Sequence, residues 1–303
     1  MPQVLVIGAG VIGLTAAVRL REAGIDAHVV AREAPAETTS AVAAAVWYPY
    51  LALPRERVTA WSARTYVVLT GLARMAGSGV RMRRGLEVAA PDAPEPWWRG
   101  AVPDFARTAE GFRFTAPVAD MSVHLPWLVD RLAALGGTLR RATVGSLDEA
   151  LAEAPVVVNC AGLGAAELTG DRSLEPVRGQ VVYVEAPEVA EWLVDDADGA
   201  APAYVVPRER DVVCGGTAQE GEWDRTPDPA TAAAILERCA ARVPALRGAR
   251  VLGGAAGLRP VRPAVRLEAD GPVVHCYGHG GAGVTLCWGC AEEVAGLVAA
   301  RLG

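Results

Sequence analysis

A glycine-rich turn between a short apolar run and a helical pattern constrains the fold of this chain more than any other feature. Residues 3 to 7 (QVLVI) read as a buried strand, GAGVIG follows at once, and TAAVRLREAG repeats apolar residues at helical spacing. After Gly24 the run DAHVVA supplies a second strand, completing a βαβ unit of about 30 residues. Gly8, Gly10 and Gly13 thus fit GxGxxG in the setting that gives the spacing a mechanism. Gly8 permits the tight turn, Gly10 lets backbone approach a pyrophosphate, and Gly13 lets helix and strand pack closely. Ala9, Val11 and Ile12 complete the loop, and the helix N-terminus turns free N–H groups toward phosphate charge. Dinucleotide binding is the expectation.

The motif does not choose the dinucleotide. An acidic residue for a ribose hydroxyl is expected roughly 20 residues past the last glycine. The second strand ends Ala31-Arg32-Glu33, with Glu33 one step late and Arg32 where a 2′-phosphate could be met. On these residues nicotinamide and flavin both stay open.

With 303 residues, 51% of them hydrophobic, the chain can bury a core for one large domain or two interleaved ones. Its formal charge is -6, with no basic stripe to neutralise phosphates, which excludes nucleic acid as a partner. No signal-like leader and no charge-free run of about 18 apolar residues is present, so neither secretion nor a membrane span is expected. Six cysteines then suggest a cytoplasmic protein with reduced thiols. The CxxC formed by Cys287 and Cys290 sits among apolar neighbours, no second CxxC exists, and His279 lies in a glycine-rich loop rather than at a zinc-ligand spacing. Small buried core residues explain the pair, and no metal is expected.

The run APVVVNCAG (154 to 162) reads as a further buried parallel strand, preceded by a helical pattern at 122 to 137. GQVVYVEA (179 to 186), AYVVPRERDVVCGG (203 to 216) and VVHCYG (273 to 278) are shorter and suit a largely antiparallel second sheet. PDAPEPWWRGAVP (91 to 103) reads as a surface loop, and the C-terminal CAEEVAGLVAARL as an amphipathic helix. The expected fold class is α/β: a Rossmann-like FAD-binding domain with an interleaved, largely antiparallel α+β substrate-binding domain, FAD being what the resemblance below adds. Residues 1–50, 122–170 and 250–303 are assigned to the first domain, and 51–121 and 171–249 to the second.

Three more segments, with the GAGVIGL start, resemble the D-amino-acid oxidase family. They are TTSAVAAAVWYPY (38 to 50), GLRPVRPAVRLE (257 to 268) and YGHGGAGVTLCWGCA (277 to 291), joined by weaker similarity at VVNCAG, RGQ and GGTAQEGEW. The resemblance implies FAD. It carries Thr38, Thr39, Ser40, Ala44, Ala45 and Val46 over as cofactor-binding, with Val144 and Ala161 on the adenine side. Gly280, Ala282, Gly283, Val284 and Thr285 join them at the flavin. It places Arg259 on the substrate carboxylate with Tyr204 beside it, the Gly281 carbonyl at the amine, and Tyr48 and Tyr50 near the substrate. A planar fork of donors suits a carboxylate in a way lysine does not. The alternative, a structural ion pair, is the reading for Arg262 and Arg266.

Departures bound the substrate. The family's lid tyrosine is replaced by Ala200, a bulky residue among the glycines by Ala282, and the arginine of related D-aspartate oxidases by Ala218. Neutral or apolar D-amino acids are therefore expected over acidic ones. The family reaction is hydride transfer to flavin, giving 2-oxo acid, ammonia and hydrogen peroxide, with no side-chain acid or base. Its partners are a small D-amino acid and oxygen, and a homodimer is left open. Competing readings are a glycine or sarcosine oxidase of the same flavin architecture, a nicotinamide-dependent reductase and a dinucleotide-binding regulator.

Overall fold

The structure, a computed structural model, describes residues 1–49, 52–199 and 201–303. Fourteen strands of the described residues join in one mixed sheet. Five run parallel side by side: Leu139–Arg141, Ala27–Ala31, Val4–Ile7, Val156–Asn159 and Val273–His279. Val4–Ile7 and Val156–Asn159 are buried at every residue, without alternation, because helices cover both faces. Val11–Glu22, Arg55–Leu72, Met121–Ala134 and Gly283–Leu302 share a core with Leu14, Leu20, Leu69, Leu128 and Leu286 on one side. Leu147–Glu153 covers the other side, packing Ala150 against Leu5, Ile7 and Val30. Leu14 and Leu20 are 0% exposed, and burying each stabilises the fold by about 1.5–3 kcal/mol.

The sheet continues into an antiparallel part through Arg250–Asp270, a 21-residue strand. It pairs with Glu175–Glu185 as far as Val261 and from there, with a register shift between Val261 and Arg266, with Val273–His279. Pro260 and Pro263 stand at this break, where a missing N–H removes least from the ladder. Val212–Gly215, Ala203–Pro207 and Trp192–Asp195 follow beyond Glu175–Glu185. The last of these lies parallel to Val80–Val88, which pairs with Gly111–Ala119. Alternation is clear here: Val205 and Cys214 face the helix Pro229–Arg242, whereas Val206, Val213 and Val181 face a cluster with Trp47, Trp98, Phe114 and Trp192.

Two expectations change. The two parts form one sheet, because the strand at 250–270 belongs to both. The run at 273 to 278 sits in the parallel part, beside Val156–Asn159; it is buried on both faces, which its composition shows and its length hides. The proline-rich stretch at 91 to 103 is the surface loop expected, mostly exposed, and it is anchored by Trp98, which is 3% exposed with its ring centroid 5.0 Å from that of Phe114. Gly283–Leu302 is long and apolar enough to span a membrane by composition, yet Val284 to Ala291 are buried in the protein core, which accounts for the apolar character.

Candidate active site

The carboxyl ends of the parallel strands open into a cavity of about 650 Å³ that continues to the antiparallel strands. Ile7, Ala31, Cys160 and His279, at or just past four strand ends, all line it. This is where α/β sheets place ligands.

Gly8, Ala9, Gly10, Val11 and Ile12 form one wall. Gly8 has φ +113°, and a Cβ there would overlap the carbonyl of Cys160. Gly13 lies behind the wall, its missing side chain taken up by the backbone of Gly8, the close packing its position in the motif requires. The helix Val11–Glu22 starts at Gly10 with no side-chain cap from that residue, and the Val11 N–H donates to Ser40 Oγ at 3.0 Å. A second helix, Gly283–Leu302, also begins at the cavity without a side-chain cap. Gly280, Gly281, Gly283, Val284 and Thr285 line its mouth, while Ala282, the N-cap residue, is buried behind them. Two helix N-termini facing one cavity, neither capped by its own N-cap residue, suit a ligand with a diphosphate and a second electron-rich region.

Ala31, Arg32, Glu33, Val144 and Ala161 line the same cavity beyond the first helix. Arg225 bridges across it, its guanidinium 3.5 Å from Glu33 and donating to the Glu37 carbonyl. Thr38, Thr39, Ser40, Ala44, Ala45 and Val46 form a further stretch of wall. The Thr38 and Thr39 hydroxyls donate to the carbonyls of Pro35 and Leu258, so toward a ligand they offer acceptors, not protons. Ala45 holds φ +59°, uncommon for a residue with a Cβ, and its carbonyl accepts from the Ala119 N–H at 3.0 Å. That bond fixes the segment running along the cavity. These walls fit a flavin dinucleotide: a glycine cradle that a Cβ would fill, two helix N-termini, and a long apolar stretch for a ring.

At the other end the Arg259 guanidinium donates to the Thr217 carbonyl at 2.8 Å, and Tyr204 lines the same wall. Burial pushes the Tyr204 hydroxyl above its ordinary value against the opposing pull of Arg259. The tyrosine ring lies on Gly215 and Gly216, where side chains would collide with it, and Gly179 leaves the matching space for Arg259. Val181, Val194 and Pro202 add apolar wall. Arg262 and Arg266 turn away, to Asp171 and Glu268.

Tyr48 lines the cavity, and its hydroxyl meets Glu87 Oε1 at 3.0 Å and Asp196 Oδ2 at 3.1 Å. Burial raises the Glu87 carboxyl to about 7. Asp196 lines the cavity as well. Tyr50 and Ala200 lie outside the described residues. Sequence reasoning did not single out Gly179, Gly215, Thr217, Glu87 or Asp196 as site residues. The first three fall inside the RGQ and GGTAQEGEW similarity, which was the available signal. The two carboxylates carried none.

Residues 3–297 match the family model described as DAO: FAD dependent oxidoreductase. A D-amino-acid oxidase of Rubrobacter xylanophilus is 54% identical, covering 99% of this chain and 97% of that relative. A D-amino-acid oxidase of Streptomyces coelicolor is 48% identical, covering 97% and 96%. Among solved structures, glycine oxidase from Geobacillus kaustophilus superposes with a TM-score of 0.82 at 19% identity over 99% of this chain and 95% of that one, a likeness of fold. The chain belongs to the DAO family of FAD-dependent oxidoreductases.

Proposed function

We propose that this protein is a D-amino-acid oxidase that takes neutral or apolar D-amino acids to 2-oxo acids, ammonia and hydrogen peroxide. The observation that carries the reading is the Arg259–Tyr204 pair, a guanidinium and a hydroxyl in the wall of the cofactor cavity. A planar fork and a neighbouring hydroxyl together bind a carboxylate by charge-assisted hydrogen bonds. Names of relatives at 54% and 48% identity support the reaction.

Gly8, Gly10 and the N-terminus of Val11–Glu22 would hold the FAD diphosphate, with Ser40 beside them. Ala31, Arg32, Glu33, Val144 and Ala161 would take the adenosine. Ala44 to Val46 and the loop Gly280–Thr285 would hold the ring. FAD, when bound, would supply the acceptor for the hydride from the substrate Cα and the route for its electrons to oxygen. Arg259 and Tyr204 orient the carboxylate, the Gly281 carbonyl accepts from the amine, and Tyr48 borders the side chain. Orientation is the protein's contribution, and no acid or base side chain is assigned. The imino acid released then hydrolyses in water.

Valines 46, 181 and 194 give the side-chain region an apolar lining, and the Asp196 carboxylate opposes a second substrate carboxylate. Ala218 supplies no countercharge. Six buried free thiols support a reducing compartment such as the cytoplasm. The test is peroxide release by the flavin-loaded protein from paired D- and L-isomers of alanine, valine, methionine and aspartate. Neutral D-isomers should be oxidised, L-isomers should not, and D-aspartate turned over faster than D-valine would overturn the substrate assignment.

A further inference from the structure

We propose that Cys276, Cys290 and His279, with Cys160 beside them, form a buried binding site for one thiophilic cation of the zinc class. The site does not depend on the oxidase reading, because its test reads metal binding and no turnover.

Three distant stretches of chain converge here. Asn159 and His275 are partners in the parallel pairing of Val156–Asn159 with Val273–His279, so the next rung sets Cys160 beside Cys276. The Cys276 thiol meets His279 and faces the Cys290 thiol, with Cys160 on the neighbouring strand. Cys290 arrives from the second turn of Gly283–Leu302, and His279 from the end of the strand. The ligand atoms of Cys276, His279 and Cys290 all lie within 4.8 Å of one another, with Cys276 Sγ 3.9 Å from His279 Nε2. All four residues are buried.

Geometry and donor type agree on the ion. A tetrahedral zinc with sulfur ligands at about 2.3 Å sets its donors about 3.8 Å apart, so the separations among Cys276, His279 and Cys290, all within 4.8 Å, need to close by about 1 Å at most. Thiolate and imidazole donors select zinc, cadmium or copper(I) over calcium or magnesium. Two thiols each lose a proton as the metal–sulfur bonds form, and their charge cancels that of a dication, which leaves no net charge in the core. Cys160, Cys276 and His279 line the cofactor cavity, which gives the ion its way in. Cys287 is no part of the cluster although it shares the CxxC with Cys290: its thiol donates to the Val284 carbonyl at 3.2 Å. The motif alone pairs the wrong cysteines.

The experiment titrates the reduced full-length protein, with and without FAD, with cadmium chloride, following the cadmium–thiolate absorption band, and then displaces cadmium with zinc. One equivalent per chain is expected in the FAD-free protein, tighter than about 1 μM. Cys290→Ser should weaken binding by more than about 10-fold, while Cys287→Ser should leave it unchanged. Cadmium-edge X-ray absorption of the unsubstituted protein requires no variant and should give a shell of sulfur with one nitrogen. The proposal is overturned by no stoichiometric binding, by equal losses in the two serine variants, or by a sulfur-free shell.

Discussion

The Arg259 guanidinium occupies the space that a side chain at Gly179 would need: a Cβ there would stand 2.5 Å from Cζ. The two residues lie on neighbouring antiparallel strands, where Gly257 pairs with Gly179 and Arg259 with Val177. Gly179→Ala should therefore displace the guanidinium while leaving the flavin walls alone. The expected result is a kcat/KM for neutral D-amino acids lowered by about 100-fold, since a misplacement of about 1 Å is worth that much. Flavin content should be unchanged. Steady-state kinetics beside a flavin-to-protein absorbance ratio checks both, and an unaffected kcat/KM would show that Arg259 does not hold the substrate.

Gly8→Ala attacks the other end of the cavity. At φ +113° the new Cβ is strained and also overlaps the Cys160 carbonyl, so the turn must open. Strain of this kind costs about 1–3 kcal/mol. Purified variant protein should be pale or colourless, with far-UV circular dichroism close to that of the parent.

The Tyr48 hydroxyl has one proton and two carboxylate neighbours, Glu87 and Asp196. A protonated Glu87 resolves this by donating to the hydroxyl, which then donates to Asp196. Desolvation raises the Glu87 carboxyl from its ordinary 4.5 to about 7. A raised carboxyl means the folded state keeps a proton that the unfolded chain has already lost. Stability is thus penalised progressively as pH rises from 4.5 to about 7, by up to about 3 kcal/mol, and the penalty is constant above that. Glu87→Gln removes it. The difference in unfolding free energy between variant and parent should grow in the variant's favour across this window, as measured by denaturant unfolding at stepped pH. A difference that stays flat with pH would contradict the protonated state.

Ala218→Arg places a cation where this chain has none. The ratio of kcat/KM for D-aspartate to that for D-valine should rise by about 10-fold or more, the worth of one charge-assisted contact. A ratio that does not move would place residue 218 out of reach of the substrate side chain.

The dinucleotide turn was legible because its logic is local: six residues between a strand and a helix carry the whole requirement, and Gly8, Gly10 and Gly13 stand where it asks. Arg259 and Tyr204 were legible as parts of segments resembling a known family. Gly179 and Gly215 were not, because their role as a floor under two side chains depends on register between strands far apart in sequence. Glu87 and Asp196 were invisible for the same reason. One sits in a strand paired with Gly111–Ala119 and the other just past Trp192–Asp195, and only their meeting at Tyr48 gives them meaning. The CxxC was legible for what it is, a pair of small buried core residues on one helix: Cys287 is 1% and Cys290 0% exposed, and the Cys287 thiol donates to the Val284 carbonyl.

The most direct measurement is a visible absorption spectrum of the purified, flavin-loaded protein, taken without oxygen before and after adding D- and L-isomers of neutral amino acids. Bleaching of the flavin band by the D-isomers alone, with colour returning on admission of air, is the expected result. Bleaching by neither isomer, or by the L-isomers, would contradict the assignment of this cavity to D-amino-acid oxidation.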